Sequence, residues 1–345
     1  MEPTASFIDA MNAQPTNLQL ALETVTRDLD AASLARWGED DSVAVIAMGA
    51  SLNSAHVPLA AFAQRGRAAA AVIASDVADG LAVVRADHSV IVSESGRSPE
   101  PLAAARALAP GSRIGITNFP DQPIREATDV VLGLGGFADS PVYTSGYTAT
   151  ILAYALLLDR VGALDAGAEA ARLPGRAADA LRDYASVAET IGTALAGATS
   201  IDVVGRGASL ASAAELSLMV REGLRTPSSA FETYQYLHGP MEVLSADDVL
   251  VLFGDGRETT IPSSVLDAGV RVVLITAAPA AEVPSSGHPG LTVVTLPPGL
   301  GHFERSVVET VIGQLAIAAA IEHKPYPLEV FLYHQDDTKL PVRAG

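Results

Sequence analysis

The chain of 345 residues contains no cysteine. That absence excludes a disulfide framework, a thiolate metal site and a cysteine nucleophile, and it suits a cytoplasmic protein, which is the expected location. Basic residues are scarce too: 22 Lys and Arg stand against 40 Asp and Glu, a formal charge of −18. No block of Lys or Arg occurs. Binding to a nucleic-acid backbone depends on such blocks, so no nucleic-acid partner is expected. An anionic ligand would have to be held locally, by backbone amides and hydroxyls, against an unfavourable overall field. Long apolar runs are missing as well. Stretches such as LAIAAAI (315–321) fall far short of the ~20 residues of a membrane span, so no membrane partner is expected. The opening MEPTASFIDAMNAQPTNLQLALE has no basic segment followed by an apolar one, and no secretory signal is read there.

What the chain does have is a series of short, continuous apolar runs separated by helix-length segments. In the first half they fall at 43–48, 70–74, 89–93, 113–117 and 129–134; in the second at 200–204, 248–253, 271–276 and 292–296. Continuous rather than alternating runs indicate strands buried on both faces, hence parallel sheets with helices above and below. The expected fold class is α/β: two tandem doubly wound, flavodoxin-like domains, each a three-layer α/β/α sandwich. A repeated turn supports the duplication, since GASLNSA (49–55) returns as GASLASA (207–213), each time after an apolar run. The expected organisation is a helical extension over 1–40, a first domain over 41–165, a connecting helix over 166–198, a second domain over 199–325 and a tail over 326–345. Within the extension an amphipathic helix is expected over 16–37, ending at the only tryptophan, Trp37. Helices are also expected over 145–160 and about 305–323. Pro325, Pro327 and Pro341 predict an extended, wrapping tail.

The strand ending at Ser93 runs into Glu94, Ser95, Gly96, Arg97 and Ser98. A hydroxyl-rich turn at the carboxyl end of a parallel strand, before a helix, suits a phosphate: amides and the helix N-terminus supply positive potential and serines add hydrogen bonds. Ser51, in the first GASL turn, sits at the equivalent end of another strand. The same residues also allow a plain N-cap turn in which Ser98 caps a helix starting at Pro99. The corresponding turn of the second half, FGDGRE (253–258), has lost the hydroxyls and carries a carboxylate, Asp255, towards the would-be anion. That half is expected to keep the fold without the phosphate chemistry.

Taken together, G-A-S, then S-E-S-G-R-S-P-E, then a second G-R-G turn, a helix running to Glu222 and H-G-P at 238–240 resemble the sugar isomerase (SIS) domain family. The likeness extends over roughly residues 43–341 and is greatest to the two-domain arrangement of the isomerase half of glucosamine-6-phosphate synthase and its stand-alone deaminase and deglycase relatives. The resemblance implies that Ser51, Ser93, Ser95 and Ser98, with Glu94 and Gly96 of the same loop, bind the phosphate and sugar. It implies that Glu222 moves a proton between C1 and C2 of the open-chain sugar. His238 would help to open the ring, contributed across a homodimer interface, and Lys339 would form a Schiff base with the ketose carbonyl. It implies a phosphorylated amino sugar as ligand, with no cofactor and no metal.

These roles make chemical sense: one shielded carboxylate can take a proton from one carbon and return it to the next, histidine exchanges protons near neutral pH, and an amine pairs with a carbonyl. Three departures stand out. Met219 occupies the position of a family lysine one turn before the glutamate, and Glu94 replaces the usual glutamine of the phosphate loop, where it would oppose a dianion unless turned away, paired with a cation such as Arg97, or bonded to sugar hydroxyls. Third, no glutaminase segment is present, which favours the releasing direction. The leading expectation is glucosamine 6-phosphate going to fructose 6-phosphate and ammonia, with fructosamine-6-phosphate deglycation as the alternative; residues 226–237 are where room for a substituent on nitrogen would show. A sugar-phosphate-binding regulator without turnover is the alternative of another class. A dinucleotide site is disfavoured, because GRGASL lacks the third glycine of its fingerprint.

Overall fold

The computed structural model describes residues 4–333, 335 and 337–341. The remaining residues of the expected tail lie outside that set. The chain divides into two units, Met1–Gly175 with Leu332–Gly345, and Arg176–Phe331.

The first unit is built on β1 (Val43–Ala47), β2 (Ala69–Ile73), β3 (His88–Val92), β4 (Arg113–Thr117) and β5 (Val130–Gly133). All pair in parallel, in the order β2-β1-β3-β4-β5. β1 is buried along its whole length, with Val43 set against Ala69 on one side and His88 on the other. That burial on both faces is why its sequence is unbroken VAVIA. Between β1 and β3 the winding reverses, and a sheet of this kind opens a crevice there, outside the carboxyl ends of the strands. The GASLNSA turn follows β1 and the serine loop follows β3, so both expected binding segments flank that point.

The second unit repeats the plan with β6 (Ile201–Gly205), β7 (Ser228–Glu232), β8 (Val249–Phe253), β9 (Arg271–Thr276) and β10 (Leu291–Thr295), ordered β10-β9-β8-β6-β7. Again every pairing is parallel. Helices flank both sheets, so the expected fold class of two doubly wound α/β domains is what the chain forms.

Three local expectations change. β7 has no counterpart among the apolar runs, because it is an edge strand: Ser-Ser-Ala-Phe-Glu is mostly half-exposed and carries no continuous hydrophobic signal. The N-terminal helix is Gln14–Ala31 rather than 16–37, and Ala32 is already extended. Trp37 lies beyond it, buried by stacking on His88 with ring centroids 4.0 Å apart, while its N–H donates to Val161 O. The connecting stretch is two helices, Gly167–Asp183 and Ala185–Ala196, broken at Tyr184, whose hydroxyl donates to Thr295 O. The helix expected over 145–160 is Ser145–Arg160, and the last helix is His302–Ile321.

The helix Ala185–Ala196 packs on His302–Ile321 through Gly192. A methyl group there would stand 2.6 Å from Ala319 Cβ and 2.8 Å from Ala320 N. Those contacts are backbone and short side chain, neither able to yield. Overpacking of this kind costs about 1–3 kcal/mol, against about 1 kcal/mol gained in helix propensity, so the clash wins. Gly192→Ala is therefore expected to lower the urea midpoint of unfolding; an unchanged or raised midpoint would show that the two helices can part at no cost.

Candidate functional site

In the first unit the turn after β1 becomes the short helix Gly49–Ser54, entered by Gly49 at φ +53°. Ser51 on this helix faces a narrow pocket that Ser54, Glu94, Tyr143 and Thr150 also line. Ser54 is occupied structurally, donating to Ser51 O at 2.7 Å and bonding Tyr154 Oη at 3.1 Å.

The loop after β3 is tightly wound and almost entirely buried. Gly96 adopts φ +66°, and a side chain there would meet Thr117 Oγ1 and Gln122 Cβ at 3.0 Å, so only glycine fits. Gly96 N–H donates to Ser93 O, Arg97 N–H to Ser95 Oγ and Ser98 N–H to Ser93 Oγ. The next loop pins the outside of the turn, with Ile124 N–H donating to Gly96 O and Asn118 N–H to Glu94 O. The helix Pro99–Ala107 begins where expected, yet the Ser98 side chain makes no capping bond to it. The plain N-cap role is therefore not realised, and Ser93, Ser95 and Ser98 stay gathered round one small nest.

Glu94 is 8% exposed, and its Oε1 accepts from Asn118 Nδ2 at 3.0 Å. The Arg97 guanidinium donates to Leu340 O at 2.7 Å, and Leu340 N–H returns a bond to Arg97 O. This double clasp fixes the tail on the serine loop and brings the exposed Lys339 to the same place, its Nζ 3.4 Å from Tyr143 Oη. Ser51, the serine loop and Lys339 thus come together in one unit.

Glu222 and His238 lie in the other unit. The helix Ser209–Met219 runs straight into a π-turn, Val220–Leu224, that ends with Arg225 in the left-handed region at φ 53°. A π-turn inserts an extra residue into the helical winding and re-aims the side chain it carries. This one carries Glu222. Its conformation is held from outside: Tyr326 Oη donates to Leu224 O at 2.6 Å, Arg225 Nη2 to Val330 O at 2.6 Å, and Leu328 packs where Gly223 has no side chain. Burial pushes the Glu222 carboxyl up to about 7, and among the described residues it has no hydrogen-bond or ion-pair partner. His238 is exposed at the end of the helix Thr233–Leu237, just before Gly239 at φ +135°. Met219, in place of the family lysine, is a core residue, 1% exposed.

The second GASL turn has a different fate. Ser209 and Ser212, the counterparts of Ser51 and Ser54, both donate to the carboxylate of Glu309, at 2.9 and 2.8 Å. Glu309 is paired with Arg305 at 2.7 Å, and Arg305 grips Asp255 in turn. Asp255 also accepts from Thr276 Oγ1 and Ala277 N. Glu258, 4% exposed, takes Gly256 N–H and the Thr233 hydroxyl. These serines, Arg305 and loop amides are spent on the unit's own carboxylates.

Sequence reasoning missed Tyr143, Thr150, Asn118 and the anchoring role of Arg97. It also missed Asp139, whose carboxylate accepts from Thr144 N, Thr144 Oγ1 and Gly146 N and so caps the helix Ser145–Arg160. Burial pushes Asp139 up despite these bonds. An acidic residue followed by Ser-Pro and Thr-Ser before a helix is the signal that could have found it. Among the described residues no cluster of side chains suited to hold a metal occurs, and no helix is long and apolar enough to cross a membrane.

Residues 194–298 match the SIS domain family. A glutamine–fructose-6-phosphate aminotransferase (isomerizing) of Aeropyrum pernix is 26% identical over 237 residues, which cover 64% of this chain and 37% of that protein. The chain therefore spans well under half the length of that relative. Among solved structures, the C-terminal domain of the glucosamine-fructose-6-phosphate aminotransferase of Francisella tularensis superposes with a TM-score of 0.79 at 16% identity, over 94% of this chain and 98% of that one. The glucosamine-6-phosphate deaminase of Thermotoga maritima superposes with a TM-score of 0.75, also at 16% identity, over 96% and 98%. The second half thus carries a match to the SIS domain, and across nearly all its length the chain has the two-domain fold of these proteins.

Proposed function

We propose that the chain is a phosphosugar isomerase-deaminase that converts glucosamine 6-phosphate and water into fructose 6-phosphate and ammonia. The observation that carries this reading is Glu222: a carboxylate with its pKa raised to about 7 by burial, set on a π-turn and tied to no partner among the described residues. A base that must take a proton from C2 of an open-chain amino sugar and deliver it to C1 works best when its pKa matches the working pH. An ordinary surface glutamate would be ionised throughout and a poor acid.

The other residues have matching tasks. The serine nest (Ser93, Ser95, Gly96, Ser98) and Ser51 hold the phosphate and sugar, with Glu94 in the same pocket. His238, exposed beside Gly239, opens the ring from the partner subunit of a homodimer. Lys339, at the tail clasp, meets the ketose carbonyl. The tail over 326–345 closes the site, and the protein works in the cytoplasm without cofactor or metal.

Incubation with glucosamine 6-phosphate is expected to release ammonia and fructose 6-phosphate in equal amounts, read by coupled assays. Silence on both products would overturn the reading. Release of glucose 6-phosphate and an amine from a fructosamine 6-phosphate, with no action on glucosamine 6-phosphate, would transfer the site to deglycation instead.

A further inference from the structure

The pocket that Ser51 faces holds a carboxylate where a phosphate would be expected to meet donors only, and that carboxylate is fixed. Asn118 Nδ2 donates to Glu94 Oε1 at 3.0 Å. Asn118 cannot turn over, because its Oδ1 accepts Gly136 N–H at 2.8 Å while Nδ2 also donates to Phe137 O at 2.9 Å. The Glu94 backbone is pinned in the same way, its carbonyl taking bonds from Asn118 N and Thr117 Oγ1. Gly146 closes the other side, where even a methyl group would come within 3.0 Å of Glu94 Cγ and 3.4 Å of Oε1. The side chain has no room to swing away from an anion bound beside Ser51.

Two full anions in one water-poor pocket repel strongly, and burial weakens the screening that would relieve them. A proton between them turns that repulsion into a charge-assisted hydrogen bond. A phosphate monoester can supply this proton, since its second ionisation lies near pH 6. A sulfate ester of the same shape carries no such proton and is too weak a base to help hold one drawn from solvent, so Glu94 alone would have to bind it.

We propose that Glu94 shares a proton with the bound phosphate group, so that the pocket takes a protonated phosphate monoester and refuses the corresponding sulfate ester. This rests on the phosphosugar reading above and specifies which form of the ligand the site accepts. The titratable groups round Glu94 are Asp139 and Tyr143 on the segment before the helix Ser145–Arg160, Tyr147 on that helix, and Lys339 through Tyr143, while Arg97 on the same loop donates to Leu340 O. All of them remain in place when Glu94 alone is changed, so comparing wild type with Glu94→Gln isolates its part.

Calorimetric titration of the full chain with glucosamine 6-phosphate, glucosamine 6-sulfate and glucosamine tests this, with Glu222→Gln present throughout so that no sugar is turned over and with wild type denoting the chain that keeps Glu94. Wild type is expected to bind the phosphate at least about a hundredfold more tightly than the sulfate at pH 7, because a buried acceptor built for an O–H rejects an analogue lacking it. Its phosphate affinity should fall about tenfold per unit above pH 7, since the complex then holds one proton more than its separated parts. In Glu94→Gln the sulfate should gain, the preference should shrink below about tenfold, and the pH slope should vanish as the amide donates to the dianion. Should the variant fail to fold, the wild-type comparison decides alone. Equal binding of phosphate and sulfate by wild type, both well above glucosamine, overturns the role of Glu94 and leaves the phosphosugar reading standing. If neither ester exceeds glucosamine, both fall.

Discussion

Glu222→Gln is expected to stop turnover and, at the same time, to stabilise the protein above neutral pH. The carboxyl sits at about 7 in the folded chain instead of 4.5, with burial as the cause. A folded-state pKa above the unfolded one means that the native chain holds a proton the unfolded chain has released, between pH 4.5 and 7. Stability therefore falls as pH rises through that window, and the full penalty stands above pH 7. The shift corresponds to at most about 3 kcal/mol. Glutamine carries no charge to desolvate, so the variant should match wild type at pH 4.5 and exceed it at pH 8 by up to that amount, some 5–10 °C in melting temperature. Removing a general base costs about a hundredfold to ten-thousandfold in kcat, while KM for glucosamine 6-phosphate should hardly move. In wild type, kcat/KM should climb with pH up to about 7 on the Glu222 ionisation. A variant that keeps its kcat, or gains nothing in stability at pH 8, removes Glu222 from the role. Trading stability for function in this way is common where a charged group is held out of water.

Parts of this arrangement were legible in the sequence because they follow from short-range rules. β1 and β8 announce themselves as unbroken apolar runs, and β3, β4, β6 and β9 as runs with a polar residue at or near the start, since each is covered on both faces. Glu222 is found by pattern, as the glutamate at the end of the helix that the second GASL turn begins. Its π-turn is not, because the extra residue is set by contacts with Tyr326, Leu328 and Val330, a hundred residues further along the chain. The same holds for Arg97, which reads as a loop cation until Leu340 is seen to clasp it. β7 escaped because an edge strand need not be apolar, and the N-terminal helix was overdrawn because a buried tryptophan reads alike on a helix and off one. The repeated GASL turn shows the limit most plainly. Its two copies are nearly identical in sequence, yet Ser51 faces a pocket whereas Ser209 and Ser212 are claimed by Glu309. What separates them is a residue about a hundred positions away, and no local reading contains it.

That residue and its partner carry the second large effect. Arg305→Leu is expected to cost about 3–5 kcal/mol of stability at pH 8, the penalty for leaving a buried charge without its counterion. The Arg305 guanidinium, though burial opposes its charge, is held firmly protonated by Glu309 and Asp255. Without it, Glu309, fully buried, keeps only the two serine hydroxyls, whereas Asp255, about two-fifths exposed, can turn to water. The loss therefore falls mainly on Glu309. Burial already pushes that carboxyl up, against the pull of Arg305 and the serines, and removing the arginine raises it further. A raised folded-state pKa makes the penalty grow with pH, so the variant should lose less at pH 5, where Glu309 can take up a proton, than at pH 8. Urea unfolding at the two pH values measures the difference. Adding Glu309→Gln to Arg305→Leu removes the stranded charge and should recover most of the loss at pH 8, leaving only that of an imperfectly packed polar group. If instead Arg305→Leu costs less than about 1 kcal/mol at pH 8, or the double variant recovers nothing, the carboxylate is not the stranded charge, and the serines of the second turn are not held by a buried ion pair.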